Sequence, residues 1–268
     1  MPVLIVASKL DPAAMNIAGK LRELRNFQPA PESPDSLLRA GDVYLKYVDS
    51  EGIHTDRIDV QVKFDAVIFA SRHRSESKEP TLTTHWTGNA TREADFGGKP
   101  KTLSLADPPR LRAALLALDK ARDKIGLNYT VTLEATHHGP TNLDAPTLFV
   151  EIGSTEREWQ NTNAAAVASE AIWEAATSPA KGTGAVGFGG GHYCNKQCIA
   201  IRESGYAFGH IFSKYFFDEY DEEMVRRAFE RTLGGCRTAV LDWKGVRGPE
   251  RVKLLATLKE MDIEIVRT

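Results

Sequence analysis

Ala66-Val67-Ile68-Phe69-Ala70-Ser71 is a short, almost wholly apolar run that ends in a polar residue. Such a run indicates a strand that is buried on both faces, which is typical of the centre of a parallel sheet. Similar runs at Val3–Ala7, Val43–Val48, Leu148–Ile152 and Gly184–Phe188 are separated by segments with the apolar spacing of helices. Strands that alternate with helices predict an α/β fold with three layers, α/β/α, around a mixed, mainly parallel sheet.

Composition limits the protein to a few classes. The 268 residues, 42% of them hydrophobic, suit one large domain spanning 1–268. The net charge of −2 gives no overall basic field, so a nucleic-acid partner would need a local basic patch. No apolar run approaches the ~20 residues of a membrane span. Three cysteines do not suit a disulfide framework. We therefore expect a cytoplasmic monomer with no membrane partner.

The segment from Arg72 to Lys101 is polar and has little periodicity. We expect it to form a long loop, and loops of this length are often functional. His73 and His85 lie in it, beside Arg72 and Arg74, whose charges could face phosphates.

Two histidine clusters follow predicted strands, at the edge where α/β proteins gather their ligands. One is Thr136-His137-His138-Gly139-Pro140, and the other is Gly189-Gly190-Gly191-His192. Neighbouring side chains on an extended segment point to opposite faces, so His137 and His138 need a turn to share a site. Glu134 and Glu151 are nearby carboxylates that could orient an imidazole or share a metal with it.

Each feature also has a simpler explanation. The histidine pair could cap a turn, and the glycine run could be a tight turn rather than a nest of N–H groups for an oxyanion. Cys194 and Cys198, with His192, could bind zinc, but their spacing matches no standard zinc motif and buried thiols are commoner. His210, in an apolar context, could be a core histidine. The sequence lacks the G-x-S-x-G and H-E-x-x-H motifs, so water activated by histidine or by a metal is the natural nucleophile.

Seven motifs, taken in order, resemble the archaeal and plant type of D-aminoacyl-tRNA deacylase. Together they extend over nearly the whole chain: Ser71-Arg72-His73-Arg74-Ser75, Leu82-Thr83-Thr84-His85 with Thr87-Gly88-Asn89, Ala135-Thr136-His137-His138-Gly139-Pro140-Thr141, Phe149-Val150-Glu151-Ile152-Gly153-Ser154, Gly189-Gly190-Gly191-His192-Tyr193, Ala207-Phe208-Gly209-His210-Ile211 and Asp242-Trp243-Lys244-Gly245.

The resemblance implies hydrolysis of the ester that joins a D-amino acid to the 3′ acceptor end of tRNA, a step of translation quality control. It also implies zinc dependence and a fold akin to those of phosphorylases and peptidyl-tRNA hydrolases. The family does not require cysteine at positions 194 and 198, which favours histidine and carboxylate as ligands.

On this basis we assign roles to the candidate residues. We expect zinc among His137, His138, His192 and Glu151, with Glu134, His73 and His85 as further catalytic groups. The zinc would activate water for attack on the ester, and Gly189, Gly190 and Gly191 would stabilise the oxyanion. The expected phosphate contacts are Arg72, Arg74, Lys196, Lys214 and Lys244.

Two other readings remain open. A zinc aminopeptidase or a peptidyl-tRNA hydrolase could be built on a similar scaffold. A non-catalytic tRNA-binding module is the least favoured reading, because the histidines concentrate beside glycine turns.

Overall fold

A computed structural model describes residues 2–33 and 36–268, and these contain two main sheets. The first has eight strands, in the spatial order β2 (Gln28–Pro29), β3 (Leu38–Ala40), β4 (Val43–Val48), β1 (Val3–Ser8), β5 (Ala66–Arg74), β10 (Thr147–Ser154), β6 (Thr81–Trp86) and β9 (Thr130–Leu133). The second has four parallel strands, in the order β12 (Tyr206–Phe212), β11 (Thr183–Phe188), β13 (Thr238–Leu241) and β14 (Glu264–Arg267). Strands β7 (Gly88–Asn89) and β8 (Thr102–Leu103) form a separate short pair.

Seven α-helices connect these strands within the described residues: α1 (Pro12–Arg25), α2 (Pro108–Ile125), α3 (Glu156–Trp159), α4 (Thr162–Thr177), α5 (Asn195–Ser204), α6 (Glu222–Glu230) and α7 (Gly248–Glu260). Two short 3₁₀ segments, Gly52–His54 and Lys214–Glu219, complete the regular structure of this part. None of the described helices combines the length and the apolar character that crossing a membrane requires.

The predicted α/β class and the mixed, mainly parallel sheet are confirmed. Strands β4, β1, β5 and β10 run parallel, whereas β6 is antiparallel to β10. Helices α1, α2 and α4 pack on the face of the first sheet that carries Ile68 and Val150. The opposite face carries Phe69 and Phe149, whose rings stack with centroids 4.7 Å apart. The 3₁₀ segment that contains Ile53 and the loop around Val60 pack against this second face in place of an α-helix.

The second sheet was not expected as a separate unit. One of its faces, which carries Phe208 and Ile211, joins the same hydrophobic cluster as helices α2 and α5. Its other face, which carries Phe188, packs with helices α6 and α7. One apolar cluster therefore contains residues from both sheets.

The prediction of one long loop from Arg72 to Lys101 is wrong for two stretches. Strand β5 continues through Arg74, and β6 (Thr81–Trp86) is a fully buried strand paired with β10. The cause is the composition of β6, whose threonines favour strand geometry but look polar in sequence. Thr84 satisfies its hydroxyl by donating to the Phe149 carbonyl at 2.7 Å, which makes its burial possible. The segment between β7 and β8 remains an irregular connection.

His210 is a core residue, as one reading of the sequence suggested. It is fully buried in β12, and its Nε2 donates to the Ser104 carbonyl at 3.0 Å while Nδ1 lies 3.2 Å from Thr136 Oγ1. Burial lowers the pKa of His210 to about 3, although the bond to Ser104 opposes the shift. The native protein therefore keeps this imidazole neutral at a pH where the unfolded chain is protonated.

This difference predicts an acid-sensitive contribution to stability. Because the unfolded histidine binds a proton below pH ~6.5 and the native one does not, unfolding becomes easier as the pH falls below ~6.5. Between pH 7 and 5, wild type should lose about 2 kcal/mol more unfolding free energy than the variant His210→Gln. Denaturant titrations at both pH values measure this difference. Equal losses in the two proteins would contradict the assignment.

Candidate active site

The site is built on the face of the first sheet that carries Phe69 and Phe149, which no α-helix of the described structure covers. In the register of the central strands, Glu151 pairs with Ser71 on one side and with Thr83 on the other. His73 pairs with Gly153, and His85 pairs with Phe149. Because paired residues share a face and the side-chain period is two, His73, His85 and Glu151 all project from this face. The sequence placed His73 beyond its strand, whereas it lies within β5.

Gly153 makes room for His73. A Cβ at this position would lie 2.4 Å from Thr81 Oγ1 and 2.9 Å from His73 Cδ2. Any side chain here would therefore displace the imidazole. The requirement for glycine at this place in the motif follows from packing in the site rather than from a turn.

A second segment brings Glu134, His137 and His138 over this face. Its backbone leaves β9 and hydrogen-bonds to β6, where Glu134 N–H donates to the Thr84 carbonyl at 3.2 Å. His138 has a φ of 47°, in the left-handed region. This residue breaks the alternation of an extended chain, so both histidines reach the same site, as the sequence required.

The third contribution comes from the glycine-rich turn after β11. His192 Nε2 lies 2.8 Å from Glu134 Oε2, and the Ala135 N–H donates to the His192 carbonyl at 2.9 Å. The structure thus brings five histidines and two carboxylates into one cluster: His73, His85, His137, His138, His192, Glu134 and Glu151. His54 and His210 lie outside it.

Glu134 is the centre of this cluster. Its side chain is fully buried, with His73 Nδ1 3.1 Å from Oε1 and His137 Nε2 3.4 Å from Oε2. Neither carboxylate oxygen has a partner in hydrogen-bond geometry, and the same is true of His85 Nε2. Buried polar atoms without such partners are rare and call for an explanation. A cation held between the nitrogen and oxygen atoms would supply the missing interactions.

Three of the imidazoles are fixed in one tautomer by the main chain. The Nδ1 atoms of His85, His137 and His138 lie 3.1, 2.8 and 2.6 Å from the carbonyl oxygens of Trp86, Ala135 and Gly139. Each Nδ1 must donate its proton there, so each ring, when neutral, carries its lone pair on Nε2. This is the usual arrangement of histidines that bind metals. The three side chains form one candidate ligand group, and the centroids of their rings lie 4.3 to 4.8 Å apart.

His73 has the opposite arrangement. Its Nε2 lies 2.9 Å from the hydroxyl of Tyr193, and its Nδ1 faces Glu134 and Glu151. With Glu134 and His192 it forms a second candidate ligand group, and His85, Glu134 and Glu151 form a third. All the predicted ligands and catalytic groups are therefore in the cluster, but in combinations that the sequence did not specify.

The electrostatics divide the histidines into two kinds. Burial lowers the pKa of His137 well below 6.5 and that of His138 to about 4, with the neighbouring charge on His85 adding to the effect. Burial would also lower the pKa of His73 and of His85, but Glu151 and Glu134 outweigh it, so the pKa of His73 rises to about 9 and that of His85 rises as well. Burial opposes the ionised form of both carboxylates, yet the adjacent histidines hold the pKa of Glu134 and Glu151 below the usual range.

Two cavities reach the cluster. One, of about 450 Å³, is lined by His73, His192 and Glu151, with Arg72, Arg74 and Glu51 also in its wall. The other, of about 380 Å³, lies beside Phe212 and Phe216. His137, His138 and Phe96 border both. Substrate can therefore approach the histidines from two sides.

The predicted substrate contacts differ in position. Arg72 Nη2 lies 2.8 Å from Glu51 Oε1, and the exposed Arg74 guanidinium lies 5.5 Å from the centre of the Trp159 ring. Lys196, Lys214 and Lys244 are exposed, but they do not line either cavity.

Part of the oxyanion prediction needs correction. The Gly189 N–H donates to the Phe212 carbonyl at 2.8 Å, so it is not available to an oxyanion. This hydrogen bond continues the pairing of β11 with β12 into the turn. The glycine run in the sequence does not show that the N–H group is used in this way.

The cysteines belong to the core. Cys194 and Cys198 are buried, and Cys198 Sγ accepts from the Leu133 N–H at 3.1 Å. Burial raises the pKa of both thiols, which keeps them protonated. Neither belongs to a candidate ligand group in the described part of the chain.

Comparison with known proteins identifies the family. Residues 60–266 match the family described as D-aminoacyl-tRNA deacylase. A curated D-aminoacyl-tRNA deacylase of Methanosarcina mazei is 37% identical over 99% of this chain and 92% of its own. Those of Pyrococcus furiosus and Thermococcus kodakarensis are 36% and 38% identical, each over 98% of both chains.

A solved structure described as a conserved protein of unknown function shares the fold. It superposes with a TM-score of 0.91 and 31% sequence identity, and the match covers 99% of this chain and 95% of the other. Its agreement extends over both sheets. On these matches and the motifs that form the site, the chain belongs to the D-aminoacyl-tRNA deacylase family.

Proposed function

We propose that this protein hydrolyses the ester between a D-amino acid and the 3′-terminal ribose of tRNA, and that its histidine–carboxylate cluster binds zinc for this reaction. The observation that carries the proposal is the gathering of five histidines and two buried carboxylates in one cluster. Three of the histidines contact Glu134, whose oxygens have no partner in hydrogen-bond geometry. The curated relatives, which match nearly the full chain, carry the name D-aminoacyl-tRNA deacylase.

The donor set fits zinc. Imidazole nitrogen and carboxylate oxygen are common zinc ligands, and sites with three protein ligands keep a position for water. His85, His137 and His138 would hold one ion through Nε2, and His73, Glu134 and His192 would hold a second where both groups are filled. When bound, zinc supplies Lewis-acid activation of water at neutral pH.

The residues themselves prepare the site for this chemistry. The main-chain carbonyls that accept from Nδ1 keep three imidazoles in a fixed orientation, so no reorganisation is needed when substrate enters. The depressed pKa values of His137 and His138 keep these groups neutral and able to donate a lone pair. Glu151 contacts both His73 and His85, and thereby links the two ligand groups.

Metal removal tests the proposed function directly. Purified protein should cleave D-tyrosyl-tRNA and spare L-tyrosyl-tRNA. Such selection requires that the site bind the two esters with different affinities. A zinc chelator should abolish the cleavage, and added zinc should restore it. The measurement is loss of labelled ester over time. D-selective cleavage that survives complete metal removal would keep the activity and reject the zinc.

A substrate panel separates the alternatives in the same assay. Cleavage of peptides without tRNA would indicate an aminopeptidase, and a requirement for an N-blocked aminoacyl group would indicate a peptidyl-tRNA hydrolase. Binding of tRNA without turnover would leave only a binding module.

The variant Glu134→Gln is a second test of the proposed function. The amide has the same shape but no charge, and it cannot replace a carboxylate between three histidines. Loss of groups around a metal site typically costs ~10–100-fold, so we expect kcat/KM for D-tyrosyl-tRNA to fall by about that factor. Zinc content per chain should fall as well.

The matched control is Glu76→Gln, which makes the same chemical change at an exposed position between β5 and β6. It should retain wild-type activity and zinc content. Unchanged turnover in Glu134→Gln, with the fold intact by circular dichroism, would remove Glu134 from the mechanism.

A further inference from the structure

Phe96 is an exposed aromatic side chain at the entrance to the site. It is 68% exposed and borders both cavities, together with His137 and His138. Its carbonyl accepts from the Gly139 N–H at 3.0 Å, one residue beyond His138. A single exposed apolar side chain needs no explanation by itself, but this one lines both cavities beside two histidines of the cluster, where it can contact a bound substrate.

The backbone that follows Phe96 is held tightly. Gly97 and Gly98 have φ values of +82° and +75°, and a Cβ at Gly97 would lie 2.0 Å from the Ile53 carbonyl oxygen. The Asn89 side chain donates to the Gly97 carbonyl at 2.8 Å. Only glycine permits this close approach. The position of Phe96 is thus set by the fold.

The two cavities on either side of Phe96 differ in charge. The first is lined by Arg72 and Arg74 as well as by Asp11, Glu51 and Glu151, and Glu51 is paired to Arg72. The second has no arginine or lysine in its lining, and its acidic residues are Glu93, Asp95, Asp218 and Glu219. A polyanionic RNA end should therefore enter on the arginine side.

We propose that Phe96 stacks on the adenine base of the 3′-terminal nucleotide of tRNA and so positions the ester over the histidine cluster. This inference rests on the proposed function. The scissile ester and the adenine base are both attached to the ribose of that nucleotide. A contact to the base is therefore one sugar away from the bond that breaks. Unpaired bases are commonly bound by stacking on aromatic side chains, and replacing the aromatic ring weakens the binding.

The test is a double-mutant cycle between Phe96 and the base. D-tyrosyl-tRNA with its normal terminal adenosine is compared with D-tyrosyl-tRNA that carries an abasic ribose at that position. With the normal substrate, Phe96→Leu should lower kcat/KM about tenfold, and Phe96→Trp should retain it. With the abasic substrate, wild type and Phe96→Leu should react at the same rate, because the stacking partner is absent.

Tyr215 supplies the matched control. It is 59% exposed and lines the acidic cavity, so Tyr215→Leu also removes an exposed aromatic ring from the entrance. Its effect on kcat/KM should be the same for the normal and abasic substrates. Thermal unfolding of each variant checks that the surface substitutions leave the fold intact.

The outcomes are distinct. No cleavage of normal D-tyrosyl-tRNA by wild type would overturn the proposed function and this inference with it. Cleavage that is equally impaired by Phe96→Leu with both substrates, or not impaired at all, would overturn only the stacking. A comparison with D-alanyl-tRNA adds a further arm: if Phe96→Leu couples to the amino-acid side chain and not to the base, Phe96 contacts the amino acid instead.

Discussion

The structure depends on the burial of two ionised carboxylates. Removing a carboxylate from water is costly unless other groups replace the solvent. Glu134 and Glu151 achieve this through close contacts to histidines, which come from β5, β6, the segment after β9 and the turn after β11. The burial of Glu151 therefore requires β5 and β6, and the burial of Glu134 requires β5, the segment after β9 and the turn after β11 to meet.

This constraint explains features that serve no purpose for the fold alone. Gly153 is needed because a side chain would occupy the space of His73. The left-handed backbone at His138 turns a pair of neighbours onto one face. The carbonyls of Trp86, Ala135 and Gly139 each use a hydrogen bond to orient an imidazole. Each feature restricts the backbone or commits a carbonyl to an imidazole, and each makes the cluster more rigid.

Sequence reasoning reached the strands that are apolar on both faces and the histidines at their ends. Val3–Ala7 and Ala66–Ser71 could be found because their period and composition agree, whereas the polar end of β5, from Arg72 to Arg74, was not found. Strand Thr81–Trp86 was missed because half of its side chains face a polar site and the other half includes a threonine. The combinations of ligands could not be found either. They depend on the antiparallel register of β6 against β10, which is set by contacts distant in sequence.

The segment from Glu134 to His137 is shared between the two sheets. On one side the Glu134 N–H bonds to Thr84 of the first sheet, and on the other the Thr136 N–H donates to the Ile211 carbonyl of the second at 2.8 Å. Its residues thus join the two sheets. His192, which follows β11 of the second sheet, contacts Glu134 in this segment. Any sliding of one sheet along the other changes the spacing of nitrogen and oxygen atoms directly. The distances within the cluster therefore depend on how the two sheets are aligned.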